Sequence, residues 1–102
     1  MKLTKMLTAL AALSIGAVAT ASAADVQAGR SMAGPCAVCH GPGGEGKGNN
    51  PPIAGMPPAR FVQAINDYKS GKRSSAAMKG YAAKLDDAEA ANLAAYYASL
   101  KK

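Results

Sequence analysis

In the stretch Cys36-Ala37-Val38-Cys39-His40, this 102-residue chain has both of its cysteines and its single histidine. Two thiols at this spacing can add to the vinyl groups of a porphyrin, and the imidazole that follows can take one axial position on its iron. A structural zinc site needs about four protein ligands, and no further cysteine or histidine is present to complete one. The stretch therefore predicts one covalent haem c, bonded through Cys36 and Cys39, with His40 as an iron ligand.

The beginning of the chain has the composition of a secretory signal. Two lysines give a basic start, residues 6–19 form an apolar run, and Ala21-Ser22-Ala23 is a small-residue cleavage sequence. The apolar run is shorter than the roughly 20 residues that span a bilayer. We therefore expect residues 1–23 to be a cleaved signal peptide and residues 24–102 to be one domain. Export to the periplasm, without stable membrane insertion, also suits covalent haem attachment.

The predicted domain is poor in large apolar side chains. The chain has one phenylalanine, four tyrosines and no tryptophan, and a domain of this size rarely builds a stable core unaided. A bound haem would supply the missing apolar surface. A disulfide or a thioredoxin-like dithiol is the alternative use of the cysteines, but that site normally lies in a βαβ framework, and the chain has almost no alternating β-branched run.

Helical spacing of apolar residues predicts an all-α fold. The predicted helical segments are 25–38, 59–70, 74–85 and 86–100. Gly34-Pro35 should interrupt the first of them, so that the haem motif begins its own turn. Asp86 with Glu89 forms a capping box at the start of the last helix. Residues 41–58 are rich in glycine and proline and are expected to form a loop beside the cofactor.

Together these features resemble the small monohaem class I c-type cytochromes of bacteria. The matching residues are Gly29, Cys36 to Gly41, the Gly-x-Gly loop, Pro51 to Gly55, Tyr68 to Arg73, Met78 and Leu93 to Tyr97. The resemblance implies a class I cytochrome c fold, with three to five short helices around the haem and with crossing N- and C-terminal helices. It implies that Gly29 meets Tyr97 or Leu93 at this crossing. It also implies that the carbonyl of Pro51 or Pro52 accepts a hydrogen bond from the haem histidine.

The second axial ligand has to be chosen among methionines, because the chain has no second histidine. Met32 lies four residues before Cys36 and is expected to pack in the core. Met78 is the preferred ligand, since a full helix between it and His40 can carry the chain to the opposite haem face, and its setting matches the resemblance. Met56 is the alternative, because it lies in the loop that must run beside the haem.

Coordination number then decides the expected function. Iron held by His40 and a methionine has no vacant position for a substrate, and a neutral thioether favours Fe(II). We therefore expect a one-electron carrier and not an enzyme. The alternative is a haem c sensor or enzyme module whose sixth ligand is labile.

The balance of charge suggests the kind of partner. The formal net charge is +6, and it falls to +4 once Lys2 and Lys5 leave with the signal peptide. The basic residues near Met78 are Lys69, Lys72, Arg73, Lys79 and Lys84. A basic rim would steer acidic redox donors and acceptors toward the haem. We expect a monomer that does not bind nucleic acid, because no recognition element accompanies the charge.

Overall fold

The computed structural model describes residues 24–101, and the predicted signal peptide lies outside them. The described chain forms five helices in the order α1 (Val26–Met32), α2 (Gly34–His40), α3 (Pro58–Ser70), α4 (Ala76–Ala83) and α5 (Asp87–Ala98). Residues 24–101 contain no β-strand, only an isolated bridge between Lys47 and Asn50. The predicted all-α fold of three to five short helices is confirmed.

The Gly34-Pro35 break separates two helices, as the sequence predicted. Asp25 caps α1, its Oδ1 accepting from the backbone N–H groups of Gln27 and Ala28. Ala33 ends α1, and Pro35 lies in the first turn of α2, where its missing N–H is no loss. The haem motif therefore occupies its own short helix.

The capping box of the last helix is present. Asp86 accepts a 2.7 Å hydrogen bond from the Glu89 backbone N–H, and the Glu89 carboxylate accepts one of 3.0 Å from the Asp86 N–H. At the other predicted stop, Gly71 ends α3 in the left-handed conformation, which glycine adopts without a steric penalty. Both boundaries were set by local sequence.

The N- and C-terminal helices cross at Gly29, but with different partners from those expected. A Cβ placed on Gly29 would lie 2.0 Å from the Asn92 carbonyl oxygen and 2.8 Å from the Tyr96 Cβ. The expectation that Leu93 or Tyr97 would meet this glycine is wrong. Asn92 and Tyr96 are four residues apart and share one helix face, whereas Leu93 and Tyr97 lie in the buried core.

Asn92 also joins the two helices through its side chain. Its Oδ1 accepts a 2.8 Å hydrogen bond from the backbone N–H of Asp25, the residue that caps α1. The crossing is therefore held by a close backbone contact at Gly29 and by a hydrogen bond at the beginning of α1.

Alanine makes up half of the buried core cluster. Its members are Ala33, Phe61, Ile65, Ala82, Ala90, Leu93, Ala94 and Tyr97. Helix α5 packs against both α1 and α3, and α4 packs on α3. This arrangement leaves the side chains of α3 and α4 around a cavity rather than against a continuous core. Among residues 24–101, no helix has the length and apolar character required to cross a membrane.

The loop between α2 and α3 folds back onto the core. The backbone N–H groups of Ile53 and Ala54 donate to the Gly44 carbonyl, and the Gly55 N–H donates to the Tyr97 carbonyl at 2.8 Å. Gly44 is buried and has a φ of 74°; a Cβ here would lie 2.8 Å from the Tyr97 ring. Glycine at this position therefore lets loop backbone lie directly on an aromatic side chain.

Candidate haem site

Helix α2 presents the two thiols of the motif together. Cys36 and Cys39 are three residues apart, which places them on neighbouring positions of one helix face. Both are free and half-buried, and both line the same cavity. Val38, between them in sequence, is 69% exposed. The helix therefore turns its thiols inward and leaves the intervening valine at the surface.

His40 is the last residue of α2 and is held at two points by the following loop. Its side chain is buried, its ring Nδ1 is 2.7 Å from the Pro51 carbonyl oxygen, and its own carbonyl accepts a 2.7 Å bond from Gly46 N–H. A carbonyl can only accept, so Nδ1 carries the proton and donates. Nε2 then keeps the lone pair needed to bind a metal. The hydrogen bond goes to Pro51 and not to Pro52.

The cavity beside these groups is mainly apolar and has a volume of about 380 Å³, within the usual range for small-molecule sites. The apolar residues that line it from helices α3, α4 and α5 are Phe61, Ala64, Ile65, Tyr68, Ala77, Met78, Tyr81, Ala82 and Leu93, and Leu85 joins them from the segment between α4 and α5. Two thiols and a metal-binding imidazole on one wall, with apolar side chains around them, fit a haem that is both bonded and buried.

One basic side chain reaches the cavity. Arg73 alone, among the lysines and arginines of the described residues, lines it. Its guanidinium carbon lies 4.7 Å from the centroid of the Tyr68 ring, a cation–π contact, and its backbone N–H donates to the Asp67 carbonyl at 3.0 Å. Asn49 and Asn50 belong to the same lining. Arg73 and these two residues are polar groups suited to haem propionates.

Two of the three methionines in the described residues border the cavity. Met78 lies in the first part of α4, where its backbone N–H donates to the Ser75 hydroxyl at 3.1 Å, and Met56 lies in the loop before α3. Met32 is not among the lining residues and packs against the buried core. The site thus brings His40 together with both predicted candidates for the second ligand.

Burial changes the acidity of two neighbouring groups at the site. Burial raises the pKa of the Cys36 thiol, although the Tyr97 hydroxyl partly opposes the rise. Burial also raises the pKa of Tyr97 above that of an ordinary tyrosine. Both groups are therefore protonated at neutral pH.

Three features of the site were not predicted. No local pattern indicated that Asn92 joins α1 to α5, that Arg73 lines the cavity, or that Tyr97 and Cys36 interact in the same buried core. Arg73 had been grouped with surface charges. Arg73 lies two residues after Gly71, which ends α3, and at the start of the turn that leads to Met78. This position is the signal that could have separated it from the neighbouring lysines.

An all-α domain with a C-x-x-C-H helix bordering an apolar cavity defines a c-type cytochrome domain. Residues 23–96 match the family model described as "Cytochrome C oxidase, cbb3-type, subunit III", and the chain belongs to this family. Membership implies a covalently bound haem c, which agrees with the thiols, imidazole and cavity described above.

Individual relatives have the same character. Cytochrome c4 of Pseudomonas aeruginosa is 37% identical over 91 residues, which cover 87% of this chain and 45% of that protein. A protein of Thiomonas intermedia named "Thiosulfate dehydrogenase electron acceptor" is 35% identical over 94 residues, covering 90% and 43%. This chain thus spans less than half the length of these two relatives. Cytochrome c-554(548) of Halomonas halodenitrificans is 35% identical over 81 residues, 98% of its own length.

Proposed function

We propose that this chain is a periplasmic one-electron carrier whose haem c is ligated by His40 and Met78. The carrying observation is the shared cavity, which His40 borders from α2 and Met78 from α4. Relatives named as cytochromes c support electron transfer as the broad function. When bound, haem c supplies reversible one-electron chemistry at its iron.

The residues of α2 have distinct roles in this proposal. Cys36 and Cys39 bind the cofactor covalently, and His40 is the first axial ligand. The Pro51 carbonyl accepts a hydrogen bond from the protonated Nδ1 of the imidazole, which fixes the orientation of the ring and strengthens its Nε2 as a metal ligand. These four residues are adjacent in space because α2 and the loop after it are hydrogen-bonded to each other.

Met78 is preferred over Met56 as the second axial ligand because of its place in the fold. Ser75 caps α4 and holds the Met78 backbone in the first helical turn, so the thioether projects from a regular element. Met56 lies in a loop and also borders a second, smaller pocket next to Arg60. Its thioether is better explained as flexible packing between the two cavities.

A filled sixth position on the iron is the reason for proposing an electron carrier rather than an enzyme. With His40 on one side and Met78 on the other, no iron position remains for a substrate. A haem c sensor or enzyme module would instead require one of these bonds to open readily. The two functions therefore differ in a property that can be measured on the purified protein.

Acidic redox proteins are the proposed partners. Lys72 and Lys79 are exposed, whereas Lys69 donates a 2.6 Å bond to the Leu85 carbonyl and Lys84 lies 5.6 Å from the Tyr81 ring centroid. These four lysines lie on the segments around Met78, where a basic surface can steer an acidic partner toward the haem. The relative named as an electron acceptor of thiosulfate dehydrogenase supports a redox protein as the class of donor.

The proposed function is tested on protein exported to the periplasm of an expression host. We expect a mass equal to a chain cleaved after residue 23 or 24 plus one haem that acid acetone does not extract. The reduced protein should return fully to the oxidised spectrum on mixing with an electron acceptor, and should bind CO slowly at neutral pH. Rapid CO binding would support the sensor or enzyme alternative, and extractable haem would contradict the cofactor assignment.

Arg73 is predicted to pair with a haem propionate. Arg73→Gln should lower the reduction potential by tens of millivolts, because removal of a nearby positive charge favours the oxidised form; about 59 mV corresponds to a tenfold change in a one-electron equilibrium constant. Arg60→Gln is the matched control, since Arg60 borders the smaller pocket and not the haem cavity. Equal shifts in the two variants, measured by redox titration, would contradict a specific role of Arg73.

A further inference from the structure

The Tyr97 hydroxyl is a buried polar group that the fold leaves without a complete hydrogen bond. Tyr97 is 0% exposed, and its hydroxyl oxygen has no hydrogen-bond partner among the described residues. Buried tyrosine hydroxyls normally have one, because an unpaired hydroxyl in an apolar interior is unfavourable. We therefore expect the hydroxyl to gain its hydrogen-bond partner only when the cofactor is attached.

The ring of Tyr97 cannot turn its hydroxyl toward water. Phe61 stacks on it with ring centroids 5.7 Å apart and an interplanar angle of 16°, and Tyr96 packs edge-on at 5.0 Å. Gly44 backbone lies against another part of the ring, and the Tyr97 carbonyl is bonded to Gly55. The direction of the hydroxyl is thus fixed by packing around the whole side chain.

The group that interacts with this hydroxyl is the thiol of Cys36, which packs against the same buried core as Tyr97. The interaction with the hydroxyl partly offsets the rise that burial causes in the pKa of the thiol. The two groups nevertheless fall short of full hydrogen-bond geometry. Once Cys36 carries a thioether, its sulfur has no proton and can only accept, so the hydroxyl becomes the sole donor of the pair.

We propose that Tyr97 donates a hydrogen bond from its hydroxyl to the thioether sulfur of Cys36 and thereby raises the reduction potential of the haem. The positive end of the O–H dipole then points at the haem edge, where it favours the less positively charged, reduced form. Tyr97 is a positioning residue in this role, acting through Cys36. The inference rests on covalent attachment at Cys36 and does not depend on which methionine binds the iron.

The test compares Tyr97→Phe with Tyr96→Phe in the haem-loaded protein. Both changes remove one hydroxyl from the same helix, and the rings keep their packing. Redox titration should show a lower potential for Tyr97→Phe than for the parent and for Tyr96→Phe. The denaturation midpoint should also fall for Tyr97→Phe, because a made hydrogen bond is lost. An unchanged potential, or a midpoint equal to or above that of the parent, would overturn the proposal, since removal of an unpaired hydroxyl is neutral or stabilising.

A second background separates action through sulfur from a general effect of the hydroxyl. Cys36→Ala retains Cys39 and His40 and so keeps one thioether and one axial ligand. Tyr97→Phe should leave the potential unchanged in this background; the same fall as in the parent would show that the hydroxyl acts without Cys36. Failure of the proposed carrier function would appear in the parent as absent covalent haem or an open sixth position. Failure of this inference would leave the covalent haem and the filled sixth position of the parent intact, and would appear in the comparisons of Tyr97→Phe with the parent, with Tyr96→Phe and with the Cys36→Ala background.

Discussion

Met78→Ala should lower the reduction potential by on the order of 100 mV, since axial ligands set haem potentials over a range of about 0.8 V. A neutral thioether favours Fe(II), and this preference is lost when a harder ligand, or no protein ligand, takes its place. The weak absorption band that arises from methionine bound to Fe(III) should disappear at the same time. Redox titration and visible to near-infrared spectra of the oxidised protein measure the two effects.

Met56→Ala is the matched control for this prediction. It removes the same side chain from another lining position of the same cavity, so any loss from packing alone should be similar. We expect it to keep the methionine band and to change the potential much less. If Met56→Ala loses the band and Met78→Ala keeps it, the second axial ligand is Met56. Both variants are compared at equal haem content.

Gly29→Ala should be the most destabilising single-methyl change in the described chain. The new Cβ would lie 2.0 Å from the Asn92 carbonyl oxygen, which is backbone and cannot rotate away. Helices α1 and α5 would have to separate, and overpacking of this kind destabilises by about 3 kcal/mol. For a domain of this size that loss lowers the melting temperature by more than about 10 °C. Thermal unfolding of the haem-loaded protein, followed by circular dichroism, measures it.

Gly80→Ala is the corresponding control for Gly29→Ala. Gly80 lies inside α4, and a Cβ placed on it would meet nothing within 4 Å. The higher helix propensity of alanine should therefore stabilise this variant by about 0.5–1 kcal/mol. Opposite signs for the two glycine variants are the expected result. If Gly29→Ala and the parent have the same melting temperature, the backbones of α1 and α5 are farther apart at Gly29 than the structure shows.

Local signals made most of the fold predictable. Gly34-Pro35 ended one helix and began another because proline removes a backbone donor, and the Asp86–Glu89 capping box fixed the start of α5 by contacts within four residues. Such features act at short range and do not depend on the rest of the molecule. The all-α fold and the five helices follow from the same kind of information.

Contacts between distant segments were harder to predict. The sequence indicated that Gly29 marks a helix crossing, but it did not fix the rotation of α5, and so the partners were assigned to Leu93 and Tyr97 instead of Asn92 and Tyr96. The choice between Pro51 and Pro52 likewise needed the path of the glycine-rich loop. In both cases a shift of one residue decides which group makes the contact, and the sequence alone does not determine that shift.

The two hydrogen bonds that hold His40 also affect how easily an electron can enter or leave. Pro51 fixes the ring and Gly46 fixes the main chain of the same residue, so the proposed iron ligand has little freedom to shift when the charge beside it changes. A preorganised ligand needs little nuclear rearrangement during charge transfer. In the proposed carrier, the loop after α2 would therefore speed electron transfer by keeping the reorganisation energy of the site low in both oxidation states.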